Sequence, residues 1–255
     1  LPQPARIDRL YSCLHDQLPP NLNPKCFLLA HNIVFRLKEV WTSKLIGDSA
    51  QVVMEVGAYH GLKALRFFDE LGANGLVFAI EMMPENTHVL KRNIEVNNLN
   101  QSVIPICAGV WNSNKKQMVA SNGYQKNAIL PIDGRDWSNE KTIEVDLLCL
   151  DTLINTHNIK SVDLLNMQVN GAEVEAIKGL AGEIHRVKLL NIVAPYKRDG
   201  ESLLDKVEST LIDLDCELLL KTSRGIVASP KCHVNNYKWV QNLTTPFDQI
   251  EMKEK

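Results

Sequence analysis

A doubly wound α/β domain behind an N-terminal helical cap is the fold this sequence predicts, and three observations predict it. From residue 50 onward, short apolar runs of strand length alternate with segments of helical periodicity, the pattern of a parallel sheet with crossover helices on both faces. The first of these runs, Val52-Val53-Met54-Glu55-Val56, passes directly into a loop bracketed by glycines and then into a helical segment. Before residue 50 no strand signal is present. The division that follows is a helical cap over 1–49 and one α/β domain over 50–255.

In the cap, prolines and asparagines punctuate LPPNLNPK, which reads as a loop between helices near 6–14 and 27–45. Leu28, Ile33, Val34, Leu37, Val40 and Trp41 recur at helical spacing in the second. In the domain, a strand over 52–56 leads to a helix over 61–71, whose Phe67, Phe68 and Leu71 face the core. A strand over 76–80 is followed by a helix from Pro84 to about residue 97, with proline in the first turn where its missing N–H costs nothing. A third strand covers 103–107. The stretch 111–140, rich in Asn, Ser, Gly and Lys, reads as an irregular insertion near the ligand site. Strand character returns at 142–148, then a short helix over 150–157, a strand over 162–167, a helix over 172–180 and an apolar run over 187–194. A helix over 201–214 and two closing strands, 217–221 and 233–240, complete the chain.

Composition narrows the function classes. Of 255 residues, 28 are Lys or Arg and 30 are Asp or Glu, giving a net charge of -2. With no long run of either sign, the chain lacks the footprint of a phosphate-backbone binder, so no nucleic acid is expected as partner. No apolar stretch approaches the ~20 residues that span a bilayer, and the N-terminus lacks a signal-peptide layout, so no membrane partner is expected. The chain begins at Leu1, which leaves a preceding leader or anchor open. Six cysteines show no metal-type spacing, and Cys107 and Cys149 lie in apolar runs where small buried thiols are expected. A reducing, cytoplasmic setting is favoured, while the sequon Asn242-Leu243-Thr244 keeps a secretory route open.

The chemistry concentrates at the end of the first strand, where ligands bind in open α/β sheets. The loop is Glu55-Val56-Gly57-Ala58-Tyr59-His60-Gly61. A dinucleotide fingerprint needs Gly-x-Gly-x-x-Gly, and the middle glycine is absent. S-adenosylmethionine carries no phosphate. It needs a bend around its methionine part, supplied by Gly57, Ala58, Tyr59 and Gly61, and a carboxylate for its ammonium, supplied by Glu55 directly or through water. A second acid is expected at the end of the next strand to accept from the ribose hydroxyls. Glu81 stands there, 20 residues after Gly61.

Residues 52–190 resemble the FkbM-type methyltransferases, a branch of the class I S-adenosylmethionine-dependent enzymes with a Rossmann-like sheet. The matching elements are EVGAYHG, then FAIEMMPENTHVLKRNIEVNN, then Leu150-Asp151-Thr152-Leu153, then VDLLNMQVNGAEVEAIKGL. The resemblance implies S-adenosylmethionine as cofactor and a hydroxyl on a small molecule, a sugar or a natural-product scaffold, as acceptor. An amine acceptor is the nearest variant. By the same analogy Cys107, Ala108, Gly109 and Val110 flank the adenine, and Met82 is counted among the cofactor-binding residues; Trp111 either stacks there or packs in the core.

One element departs from the family. Where the resemblance implies Lys-x-Asp-x-Glu-Gly, this chain has Asn166, Gln168 and Asn170 before Gly171. Amides donate and accept hydrogen bonds but do not act as general bases near neutral pH, and without a carboxylate they are poor ligands for a hard cation. A metal-independent transfer that relies on positioning is therefore expected, with Asn166 and Gln168 near the cofactor and Gln168 and Asn170 reading the acceptor. His60 and Tyr196 are the replacement bases considered; each also reads as a residue without catalytic duty, His60 as an exposed helix start and Tyr196 as a packing residue. Lys197, Arg198 and Asp199 form a charged rim beyond the fifth core strand. A catalytically silent binding or scaffold protein is the contrasting class.

Overall fold

The structure is a computed structural model, in which residues 45–47, 49–121, 128–129 and 141–242 are described. The predicted cap over 1–49 falls almost wholly outside these residues, as do most of the 122–140 stretch and two of the three sequon positions.

Among the described residues, seven strands form the central sheet in the order β3 (Val103–Cys107), β2 (Leu76–Glu81), β1 (Val52–Val56), β7 (Leu164–Met167), β8 (Leu190–Val193), β12 (Gly225–Pro230) and β11 (Cys216–Lys221). β1, β2, β3, β7 and β8 are parallel. β12 runs antiparallel between β8 and β11. Strand order reverses between β1 and β7, which places the crevice at their carboxyl ends. Pro105 sits in β3 without cost because β3 is an edge strand and its missing N–H faces no partner.

Helices cover both faces, so the central strands read as nearly unbroken apolar runs. On one face α1 (Leu62–Leu71) and α2 (Pro84–Val96) bring Ala64, Leu65, Phe67, Leu90 and Ile94 against Val53, Val77, Ala79, Val103, Leu164 and Leu189. On the other, α3 (Leu150–Thr156), α4 (Glu173–Lys178) and α5 (Leu203–Asp213) bring Leu150, Ile154, Ile177, Val207 and Leu211 against Met54, Val56, Phe78, Ile80, Leu165 and Met167. Alternation along each strand fixes the register: Val53, Glu55, Leu164 and Asn166 share the α1–α2 face.

Two sequence expectations are corrected. The 233–240 segment is not a strand. It forms 3₁₀ turns at Val234–Asn236 and Lys238–Asn242, and the last strand among the described residues is instead β12. Its apolar residues Val234, Tyr237 and Val240 recur every third residue, the 3₁₀ period, and pack on the α1–α2 side. The second correction concerns 111–140, where β5 (Lys115–Ser121) is a regular strand paired antiparallel with β6 (Lys141–Leu148). Only Val119 of β5 is buried, so its polar face concealed it. β4 (Gly109–Val110) pairs parallel with β6 to complete a three-stranded sheet.

Beyond β8, β9 (Lys197–Arg198) and β10 (Glu201–Ser202) form a short ribbon closed by Asp199 and Gly200, both at positive φ as a two-residue hairpin turn requires. Ser202 then caps α5 by accepting from the Asp205 N–H.

Candidate functional site

The loop between β1 and α1 is held by the strands on either side of it. Gly57 N–H and Ala58 N–H both donate to the Ile80 carbonyl at 2.9 Å, and the Gln168 N–H donates to the Val56 carbonyl at 3.0 Å. Gly57 has φ 89°, and a Cβ there would lie 2.1 Å from the Gln168 carbonyl oxygen. Only glycine fits so close an approach of two chains. Gly61, at φ 93°, would place a Cβ 2.5 Å from Leu90 of α2. Asn93 of α2 donates its side-chain amide to the His60 carbonyl at 2.8 Å. The bend is thus set by β2, β7 and α2 together.

Glu81 ends β2 beneath this loop. Its Oε2 accepts from the Tyr59 N–H at 2.8 Å, and its Oε1 accepts from the Met83 N–H at 2.9 Å and the Asn86 amide at 3.2 Å. Burial pushes its pKa up, against the pull of these hydrogen bonds. A carboxylate has about four acceptor positions, so capacity remains on Oε2. Tyr59 itself is at φ 51°, a left-handed conformation that this tie helps to hold.

Glu55 is 1% exposed on the α1–α2 face of β1. Its Oε2 accepts from Asn166 Nδ2 at 2.6 Å, while its buried Oε1 has no hydrogen-bond donor in reach. Lys63 Nζ stands 3.7 Å from Oε1, an ion pair too long to be a hydrogen bond. Burial pushes the carboxyl up to about 7, outweighing the lysine's charge and the Asn166 bond. Lys63 also lies 3.5 Å from Gln168 Oε1, so one cation spans β1 and the strand end after β7.

Behind Glu55 the polar groups continue through the sheet. Asn166 is its register partner on β7, and Asn191 is the partner of Asn166 on β8. Asn191 Nδ2 donates to Asn166 Oδ1 at 2.5 Å, and both asparagines are buried. Past Gln168 the chain turns through Asn170 and Gly171, at φ 52° and 105°. Glu173 holds that turn by accepting from the Val169 N–H at 3.1 Å and the Gly171 N–H at 2.8 Å; burial pushes it up to about 7. The Tyr196 hydroxyl donates to Asn170 Oδ1 at 3.2 Å. Arg198 donates to the Gly171 carbonyl and pairs with Glu175 at 2.9 Å, so the expected rim cation braces the turn.

The structure therefore brings Glu55, Asn166, Lys63 and Gln168 into one cluster, and Asn170 and Tyr196 into another. His60 is buried and stacks on the Tyr59 ring with centroids 3.6 Å apart, so it is not the exposed helix start that one reading described. Ala108 and Gly109 lie at the end of β3, with the Ala108 N–H donating to the Glu81 carbonyl at 3.0 Å. A Cβ on Gly109 would meet Leu147 at 2.5 Å and Met82 at 3.2 Å, so its small size is already used in packing. Trp111 is a core residue, packed with Met83, Val119 and Leu147. Cys107 is exposed and Cys149 partly so, contrary to the expectation of buried thiols. Cys107 is the last residue of the edge strand, where the apolar run meets solvent.

Sequence reasoning missed Lys63, Asn191 and Glu173. Asn191 had a signal, since Leu-Leu-Asn occurs at 164–166 and again at 189–191 in what are neighbouring strands. Lys63 had none, because a lysine in an amphipathic helix does not disclose which neighbours it meets. A cavity of about 260 Å³ at the opposite, amino end of the sheet is lined by Asp163, Lys188, His233 and Tyr237 and lies away from this cluster. Among the described residues, no three His, Cys, Asp or Glu side chains gather as a metal-binding group. Among the same residues, no helix is long and apolar enough to cross a membrane.

A family model for the methyltransferase FkbM domain matches residues 55–215. No curated protein sequence matches the chain. Among solved structures, a Streptococcus pneumoniae protein with a provisional tRNA methyltransferase assignment aligns with TM-score 0.51 at 12% identity, over 85% of this chain and 83% of that one. The FkbM methyltransferase of Methylobacillus flagellatus aligns at 0.48 and 17% identity, over 88% and 59%. An O-methyltransferase of Bacillus cereus solved with S-adenosylhomocysteine aligns at 0.47 and 13% identity, over 89% and 91%. At 12% identity the first of these shows a shared fold and nothing finer.

Proposed function

We propose that this chain, which belongs to the FkbM methyltransferase family and so takes S-adenosylmethionine as methyl donor, methylates a hydroxyl of a small molecule such as a sugar, without a metal ion. The observation that carries the cofactor placement is the pair of buried acids, Glu55 and Glu81, at the carboxyl ends of adjacent strands on either side of the Gly57–Gly61 bend. The residues present fit the cofactor: Glu55 Oε1 is a buried acceptor with no hydrogen bond made to it, which suits an ammonium. When bound, S-adenosylmethionine supplies an electrophilic methyl group on a sulfonium.

In this reading Glu55 accepts from the amino-acid ammonium and Glu81 Oε2 from the ribose. Gly57, Ala58, Tyr59 and Gly61 form the bend, and Met82, Ala108 and Gly109 border the base. Asn166 orients Glu55 from behind rather than touching ligand, since its two polar atoms are taken by Glu55 and Asn191. Gln168, Asn170 and Tyr196 present neutral donors and acceptors, which match an uncharged polyhydroxylated acceptor better than a cationic amine. Tyr196 is the group best able to relay the hydroxyl proton, taking it on the phenol oxygen while passing its own proton to water, and the burial of His60 makes it a support for Tyr59. A hydroxyl is a weak nucleophile, so positioning has to supply much of the rate.

The decisive experiment is incubation of the chain with S-adenosylmethionine labelled on the methyl group and a fractionated metabolite extract. Label in a neutral, hydroxyl-bearing product supports the reading; label in an amine moves the acceptor class. Tight S-adenosylhomocysteine binding with no transfer across all fractions favours a binding protein, a reading that the all-amide strand end at Asn166, Gln168 and Asn170 supports.

A further inference from the structure

We propose that Lys63 and Glu55 form a charge pair that recognises the zwitterionic amino-acid head of the cofactor, with Lys63 taking its carboxylate and Glu55 its ammonium. The inference rests on the cofactor reading above and extends it to a residue in the first turn of α1.

Three features carry it. First, the Glu55 carboxylate is unevenly used: Oε2 is closed off by Asn166, whereas Oε1 is buried, lacks a hydrogen bond and points toward Lys63. Second, Lys63 makes no close contact with either acceptor. Its Nζ is 3.7 Å from Glu55 Oε1 and 3.5 Å from Gln168 Oε1, and its side chain is 21% exposed. A lysine so placed can swing without losing a well-formed hydrogen bond, because its flexible stem carries a point charge. Third, the first turn of α1 contains no acidic residue and has no side-chain cap at Gly61. The first turn of this ten-residue helix thus carries no anion of its own, and an arriving carboxylate would complement both it and Lys63.

The arrangement also accounts for a departure from the family pattern. Where the resemblance implies a lysine on β7, this chain has Asn166, the register partner of Glu55. Here the cation beside the loop acid stands on the helix. From the strand it would be locked behind Glu55 in the sheet; from α1 it stands at the edge of the site and is available to a ligand.

The test is calorimetric titration of the full chain with S-adenosylhomocysteine and with its decarboxylated analogue, which keeps adenosine, thioether and ammonium. The unaltered chain should bind S-adenosylhomocysteine the more tightly. Lys63→Met should weaken S-adenosylhomocysteine about tenfold, the scale of one charge-assisted hydrogen bond, and leave the analogue within about twofold. Lys63→Arg should recover most of the loss. Equal weakening of both ligands by Lys63→Met, or no weakening of either, overturns the assignment. If the unaltered chain binds neither ligand, the cofactor site itself is wrong and this inference falls with it. Binding of the analogue by Lys63→Met serves as the internal measure that the variant is folded.

Discussion

Glu55 and Asn166 face each other across β1 and β7 as register partners, with the asparagine amide 2.6 Å from a carboxylate oxygen. The direction of that amide is set from both sides. Its nitrogen faces a Glu55 carboxyl oxygen and its oxygen faces Asn191, which donates to it. The neutral strand end is therefore not a blank. Asn166 acts inside the sheet to hold Glu55, while Gln168 lies beside Lys63 and Asn170 accepts from Tyr196.

The first prediction is a pH dependence. Glu55 and Glu173 are each raised to about 7 by burial, from an ordinary value of 4.5. The folded chain therefore keeps protons that the unfolded chain releases between these values. These two groups contribute most to stability below about pH 4.5, and that contribution is lost as pH rises through 7. The thermal midpoint of the ligand-free chain should fall between pH 5.5 and 8, with each group worth on the order of 1 to 3 kcal/mol. Glu55→Gln should flatten this fall. Ligand affinity should run the other way, with S-adenosylhomocysteine binding tighter as Glu55 ionises. Affinity that declines over the same window would remove Glu55 from the ammonium.

Gly57→Ala tests the bend. The new Cβ would sit 2.1 Å from the Gln168 carbonyl oxygen, at a backbone φ of 89° that alanine disfavours. Strain and overlap together should cost roughly 2 to 4 kcal/mol of stability, read from the urea midpoint. S-adenosylhomocysteine binding should be lost even at temperatures where the variant stays folded. Gly72→Ala, at φ 79° with open space around it, carries strain without overlap and should leave binding intact.

Asn191→Leu tests the buried relay. It removes the donor to Asn166 Oδ1 and leaves that oxygen buried and unsatisfied, at a cost of about 1 to 3 kcal/mol. Because Asn166 then loses its orientation, S-adenosylhomocysteine affinity should drop several-fold although Asn191 lies a strand away from Glu55. Loss of stability with unchanged affinity would make the relay structural only.

The sheet and the bend were legible because each has a local signature. The strands read as apolar runs, the turn into α2 is marked by Pro84, and Gly57 and Gly61 flank the loop. Glu81 was legible by its place at a strand end, but its ties to Tyr59, Met83 and Asn86 were not, since they depend on how two loops meet. The same holds for Lys63, whose neighbours come from β1 and from the segment after β7, over a hundred residues downstream. The 233–240 segment differs for another reason: apolar residues spaced by three imitate the short apolar run of a strand, and β12 gives little signal because its apolar core is only Ile226, Val227 and Ala228 between Gly225 and Ser229.

Tyr196→Phe bears most directly on methyl transfer. The hydroxyl donates to Asn170 Oδ1 at 3.2 Å, a partly buried bond whose loss should cost stability only about 0.5 to 1.5 kcal/mol. If Tyr196 relays the acceptor proton to water, turnover should fall by about 10²- to 10⁴-fold, as removal of a group in general acid–base transfer does. S-adenosylhomocysteine affinity should be unchanged, because the reading assigns Tyr196 to the acceptor and not to the cofactor. His60→Gln should behave otherwise, with a loss of stability through the Tyr59 stack and a turnover change that follows cofactor affinity. A Tyr196→Phe chain that turns over at the unaltered rate, with His60→Gln inactive yet still binding S-adenosylhomocysteine, would transfer the base role to the histidine in the loop.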